Sequence, residues 1–88
     1  MIRLWGKIIK NNKIITELES SYEYDDIEYQ SQLKYCIENI CRDLDIQKPY
    51  WLENNLKEYN KYKKTSFNQD NFIEEIDFDK FEIEVLDE

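Results

Sequence analysis

Ile2-Arg3-Leu4-Trp5-Gly6-Lys7-Ile8-Ile9-Lys10-Asn11-Asn12-Lys13-Ile14-Ile15-Thr16-Glu17-Leu18 carries two β-rich runs separated by a polar turn. Branched and aromatic side chains suit a pleated strand. Asn tolerates positive φ, so Asn11-Asn12 fits a two-residue turn of type I′, and the stretch reads as a β-hairpin. That turn sets Ile9 opposite Ile14 and Trp5 opposite Leu18. Trp5, Ile9, Ile14 and Leu18 then share one face, and Ile2, Leu4, Ile8 and Ile15 share the other. Both faces are part apolar, so the pattern leaves the core side open. Gly6, the only glycine, marks a bulge or a close approach by a neighbour.

The far end of the chain answers this hairpin. Phe81, Ile83 and Val85 alternate with Lys80, Glu82 and Glu84, as in a half-buried strand within the tail Glu74 to Glu88. Residues 1–16 hold four positive charges and no negative ones, whereas residues 70–88 hold nine acids and one lysine. A C-terminal strand beside the first would bring Glu82 and Glu84 near Arg3 and Lys7, each opposite-charge pair contributing about 0.2–1 kcal/mol.

Between these ends, Leu33, Ile37, Ile40 and Leu44 recur at helical spacing, with Cys36 and Cys41 edging the stripe, over about Ile27 to Leu44. Glu19 to Asp26 reads as an acidic loop whose Asp25 or Asp26 caps that helix. Pro49 stops the chain from continuing as helix. A second helix follows before Tyr62, with Leu52, Leu56 and Tyr59 along one side. Lys63 to Asn68 reads as a loop, with Asn68 capping a turn that contains Phe72 and Ile73. The expected fold is α+β: a small, mostly antiparallel sheet of about three strands in the order β-β-α-α-β, with two helices packed on one face. One layer of helices cannot bury both hairpin faces, so the tail wraps the sheet or two copies associate as a homodimer.

With 88 residues there is room for one domain, 1–88. Hydrophobic residues at 41% and aromatics at 15% argue against disorder despite the charge. There is no Ala and one Val, so Ile, Leu and aromatic rings carry the core. A net charge of −8 weighs against unspecific contact with nucleic acid or anionic membrane. No apolar run approaches the roughly 18–20 residues that span a bilayer. The opening segment makes no signal-peptide core, so the expected location is the cytoplasm.

The runs Leu4-Trp5-Gly6-Lys7-Ile8-Ile9, Lys48-Pro49-Tyr50-Trp51-Leu52 and Phe81-Glu82-Ile83-Glu84 resemble short bacterial proteins of unassigned function. The resemblance implies a stand-alone domain of about this length and assigns no chemistry to any residue.

Catalytic parts are scarce. Histidine is absent, which removes the commonest general base and metal ligand. One glycine cannot build a phosphate-cradling loop. Cys36 and Cys41 diverge by about 140° around a helix and cannot bridge each other within it. Asp77-x-Asp79 begins like a calcium loop, but Phe81 and Glu82 fall where that loop needs a ligand and a glycine. No catalytic residue, metal or cofactor is expected.

Two surfaces stand out. Tyr50 and Trp51, after Pro49, are the residue types that dominate binding hot spots when exposed, although such rings are more often core. Lys57, Lys61, Lys63 and Lys64, interleaved with Tyr59 and Tyr62, could meet phosphates and bases. The plainer reading is a helix whose Leu56 and Tyr59 face the core while the lysines face water. The expected function is a small non-enzymatic protein-interaction or regulatory module with an unidentified protein partner. The alternative is a nucleic-acid role, through the Lys57–Lys64 segment or by acidic mimicry of DNA. An enzyme of unfamiliar chemistry comes last.

Overall fold

The computed structural model describes residues 1–87, and Glu88, at the end of the expected C-terminal strand, lies outside the described residues. Strands β1 (Ile2–Lys10) and β2 (Lys13–Tyr22) precede helices α1 (Tyr29–Leu44) and α2 (Glu53–Tyr62). Strand β3 (Lys64–Phe67), a 3₁₀ turn at Gln69–Asn71 and strand β4 (Lys80–Asp87) complete the chain. The α+β class holds, with a 4-stranded sheet in the order β2-β1-β4-β3 instead of about three strands. Every pairing is antiparallel. The added strand is β3, in the stretch read as a loop, where Thr65 pairs with Ile83 and Phe67 with Phe81.

Asn11 and Asn12 turn the hairpin at φ 54° and 63°, the positive values a type I′ turn requires. Ile9 pairs with Ile14 as expected, but the register then shifts. Ile8 pairs with Thr16, leaving Ile15 as the extra residue, so Trp5 faces Glu19 and Leu18 faces Gly6. The bulge moves Leu18 to the side of Ile2, Leu4 and Ile8, which settles the core face. Ile14 and Ile15 stay exposed near the hairpin tip.

The helices cover that face. Ile2, Leu4, Ile40, Phe67, Phe81 and Ile83 are fully buried, each contributing about 1.5–3 kcal/mol by leaving water. α1 lies on β1 and β2, and α2 on β3. Gly6 answers a close approach, not a bulge: a Cβ there would lie 2.7 Å from Ile40 Cγ2 and 3.0 Å from Phe81 Cε1. α1 buries Cys36, Ile37, Ile40, Cys41 and Gln32, while Leu33 and Leu44 are half-buried. The cysteines therefore sit inside the apolar stripe, not at its edge. The helix starts after Glu28 without a side-chain cap. Asp26 instead accepts from the Tyr22 hydroxyl, and Asp25 pairs with the Met1 amino group at 2.6 Å.

The opposite face of the sheet carries charge. Lys7, only 5% exposed, reaches Glu82 at 2.7 Å and Glu84 at 3.3 Å across the β1–β4 pair. Its ammonium also stands 3.8 Å from the Trp5 ring centre. Arg3 pairs with Asp87 at 3.0 Å and Glu19 at 3.6 Å, and Lys64 lies 3.7 Å from Glu82. The strand pairing expected from segregated charge is present, with Asp87 taking Arg3.

Candidate functional site

Two buried asparagines organise the corner after Pro49. Asn55 is 0% and Asn71 3% exposed. The Asn55 amide donates to Thr65 Oγ1 at 2.9 Å and to the Ser66 carbonyl at 2.8 Å. Its oxygen accepts from the Leu52 amide at 3.0 Å and from Asn71 Nδ2 at 2.8 Å. That uses every donor and acceptor position of the side chain. Asn71 also donates to the Tyr50 carbonyl at 2.7 Å and accepts from the Asn68 amide at 3.0 Å. The Thr65 hydroxyl in turn donates a hydrogen bond to Glu58 Oε1 at 2.7 Å. A buried network so satisfied holds a single geometry, because any rearrangement leaves a polar atom dry and unpaired.

The network clamps Tyr50 and Trp51. The Tyr50 amide donates to the Asn71 carbonyl at 2.7 Å, while the Tyr50 ring is 56% exposed. Trp51 is half-buried, edge-on to Tyr59 at 5.5 Å and to Phe67 at 5.3 Å. The sequence thus names a pair whose members divide, one ring facing water and the other seated on the core.

Beside Trp51 runs a cleft of about 290 Å³. One wall is the α1 face formed by Gln30, Leu33, Lys34 and Ile37, and the other is Lys48, Pro49 and Trp51. Those α1 positions recur at the spacing of one helical face. Neither Lys34 nor Lys48 is in an ion pair among the described residues. The lining contains no hydroxyl, thiol or carboxylate. Sequence reasoning missed Lys34 and Lys48 because their partner wall comes from a distant segment. The available signal was the lysine beside Leu33 on the α1 stripe.

The lysines of the other expected surface make local contacts. Lys57 pairs with Glu53 at 3.3 Å, and Lys61 stands 5.2 Å from the Tyr62 ring centre. Lys63, at φ 56° where α2 ends, lies 5.5 Å and 5.6 Å from the rings of Tyr29 and Tyr59. Those two tyrosines share a hydroxyl hydrogen bond of 2.6 Å, so Lys63 helps tie α1 to α2. Lys64 belongs to the charged sheet face. Each of these four lysines has a local contact. Leu56, expected inward, is 52% exposed, because Asn55 takes the inward position beside Tyr59.

The cysteines are free and buried. Burial pushes the Cys41 thiol up to about 12, with Glu38 adding to the shift and Lys48 opposing it. Burial raises Cys36 as well, against a Ser20 hydroxyl contact. Both are poor nucleophiles at neutral pH. Asp79 of the calcium-like stretch closes the hairpin instead, accepting from the Asn11 amide at 2.8 Å. Among the described residues no cluster of three or more potential ligands is arranged to hold a metal, and no helix is long and apolar enough to cross a membrane.

Comparison with family models, with curated proteins and with solved structures finds no match for this chain.

Proposed function

We propose that the chain is a small non-enzymatic protein-interaction or regulatory module that engages its partner through the Pro49–Trp51 cleft. One observation carries this reading: an apolar cleft with two unpaired lysines at its rim, one wall of which is fixed by the Asn55–Asn71 network. Pre-organised apolar concavities with a few polar groups are the usual form of a recognition site. Tyr50 adds an exposed ring beside it, of the type that anchors interfaces. The local contacts of Lys57, Lys61, Lys63 and Lys64 weigh against the nucleic-acid alternative.

The test is affinity purification from the native cell, scored by quantitative mass spectrometry. Wild type is compared with Tyr50→Ala, with the Lys34→Glu/Lys48→Glu double variant, and with Lys10→Glu as a distant control. A protein enriched on wild type and control but lost on both cleft variants is the expected result. Enrichment indifferent to the cleft variants overturns the reading. Salt-sensitive binding to an oligonucleotide would restore the alternative.

A further inference from the structure

The cleft has a matching projection on the same molecule. Ile73 is 75% exposed, the most exposed large apolar side chain among the described residues. Glu74 and Glu75 follow it, both exposed and neither in an ion pair among the described residues. This projection is held in place. Gln47 Oε1 accepts from the Ile73 amide at 3.2 Å and the Glu74 amide at 3.1 Å. Asn71 fastens the preceding turn to Tyr50. The acidic knob therefore rides on the 47–50 segment that supplies one wall of the cleft. Each molecule presents an apolar knob flanked by two carboxylates next to an apolar hole flanked by two ammonium groups.

We infer that a second copy of this chain occupies the cleft: Ile73 of each copy enters the Leu33–Ile37–Trp51 cleft of the other, with Glu74 and Glu75 meeting Lys34 and Lys48. Knob and hole share the 47–50 segment, and a two-fold contact is the arrangement that uses both at once and closes the assembly as a dimer. The free β2 edge offers less, because its exposed Glu17 and Glu19 are already engaged by the Trp5 indole and by Arg3. The patch is small, which places the dimer among weak, reversible associations. The inference rests on reading the cleft as an interaction site, and it makes self-docking the state that an outside partner displaces.

Sedimentation equilibrium on the purified protein, from about 10 μM to about 1 mM, tests it. The expected mass climbs towards that of a dimer in wild type and stays at that of a monomer in Ile73→Glu. Circular dichroism verifies that this exposed substitution leaves the fold intact. Charge reversal gives the sharper arm. Lys34→Glu/Lys48→Glu alone and Glu74→Lys/Glu75→Lys alone are each monomeric, since like charges then meet at both contacts. Mixed together they associate, because every cleft now meets a tail of opposite sign. A monomeric wild type, a dimer that survives Ile73→Glu, or a reversed pair that stays apart overturns the inference. A monomeric wild type whose captured protein is still lost in Lys34→Glu/Lys48→Glu sinks self-docking alone and leaves the proposed function standing. A dimer that captures nothing else supports self-docking and removes the outside partner.

Discussion

β1 is buried on two sides by different physics. Towards the helices it presents Ile2, Leu4, Gly6 and Ile8, closed over by Ile40, Phe81 and Ile83 with almost no exposed surface. Away from them it presents Arg3, Trp5, Lys7 and Ile9, and Lys7 is nearly as buried as its neighbours. The first face excludes water by packing. The second excludes it from Lys7 by pairing a lysine with two glutamates and an indole ring. Packing tolerates no change of volume, whereas the ion cluster tolerates no change of charge balance.

Phe81→Ala should show the largest effect, a loss of about 3–5 kcal/mol by urea denaturation, because it empties the centre of the packed face. That is a large part of the ~5–15 kcal/mol that holds a typical domain together. Gly6→Val comes next, at about 2–3 kcal/mol, since its side chain would have to displace Ile40 and Phe81 from either side. If this variant keeps wild-type stability, the two faces do not differ in tolerance of volume.

Lys7→Ala should lose about 1–2 kcal/mol by leaving Glu84 without its ion pair and Glu82 with only the longer Lys64 contact. Glu82 is 13% and Glu84 35% exposed at the side chain, so water moderates a penalty that reaches about 3–5 kcal/mol at fully buried pairs. Lys7→Met with Glu82→Gln should recover most of that loss. Acid sharpens the contrast. Burial pushes Glu82 up, but the hydrogen bond and charge of Lys7, helped by Lys64 and Lys80, outweigh it and hold the carboxyl below its ordinary 4.5. The stability it contributes is therefore present above pH 4.5 and lost as pH falls through the lowered value. Lys7 mirrors this. Burial pulls it down, yet Glu82 and Glu84 raise it above 10.5, so its contribution is complete below pH 10.5 and lost as pH climbs past the raised value. Urea midpoints across pH should fall at both ends in wild type, and Lys7→Met should flatten both limbs. Arg3→Ala should show the smallest effect, about 0.5 kcal/mol or less, because its pairs with Glu19 and Asp87 are half exposed.

The parts that were legible in the sequence are those whose cause is local. Asn11-Asn12 announces its own turn, and the Phe81–Val85 alternation announces β4. Segregated charge even paired β1 with β4. What escaped depends on partners far along the chain. Lys64-Thr65-Ser66-Phe67 is too short and polar to read as a strand, and only pairing with β4 makes it one. The bulge at Ile15 reversed the face assigned to Leu18. Asn55 took an inward place that apolar periodicity had given to Leu56, because its acceptors and donors are supplied by residues 52, 65, 66 and 71. Half of the candidate site was visible in advance as Tyr50 and Trp51. The α1 wall with Lys34 was not, since no pattern within α1 says what packs beside it.

The strand order has a consequence for how the chain folds. β1 precedes the other strands in the chain, yet one of its two sheet neighbours is β4, and Lys7 meets Glu84 across a separation of 77 residues. α1 can cover Ile2, Leu4 and Ile8 of the early hairpin, but the second edge of β1 stays open until β4 reaches it. Closing so long a loop is slow. Docking of β4 is therefore the long-range step that completes the sheet, and it joins a hairpin whose own turn forms locally.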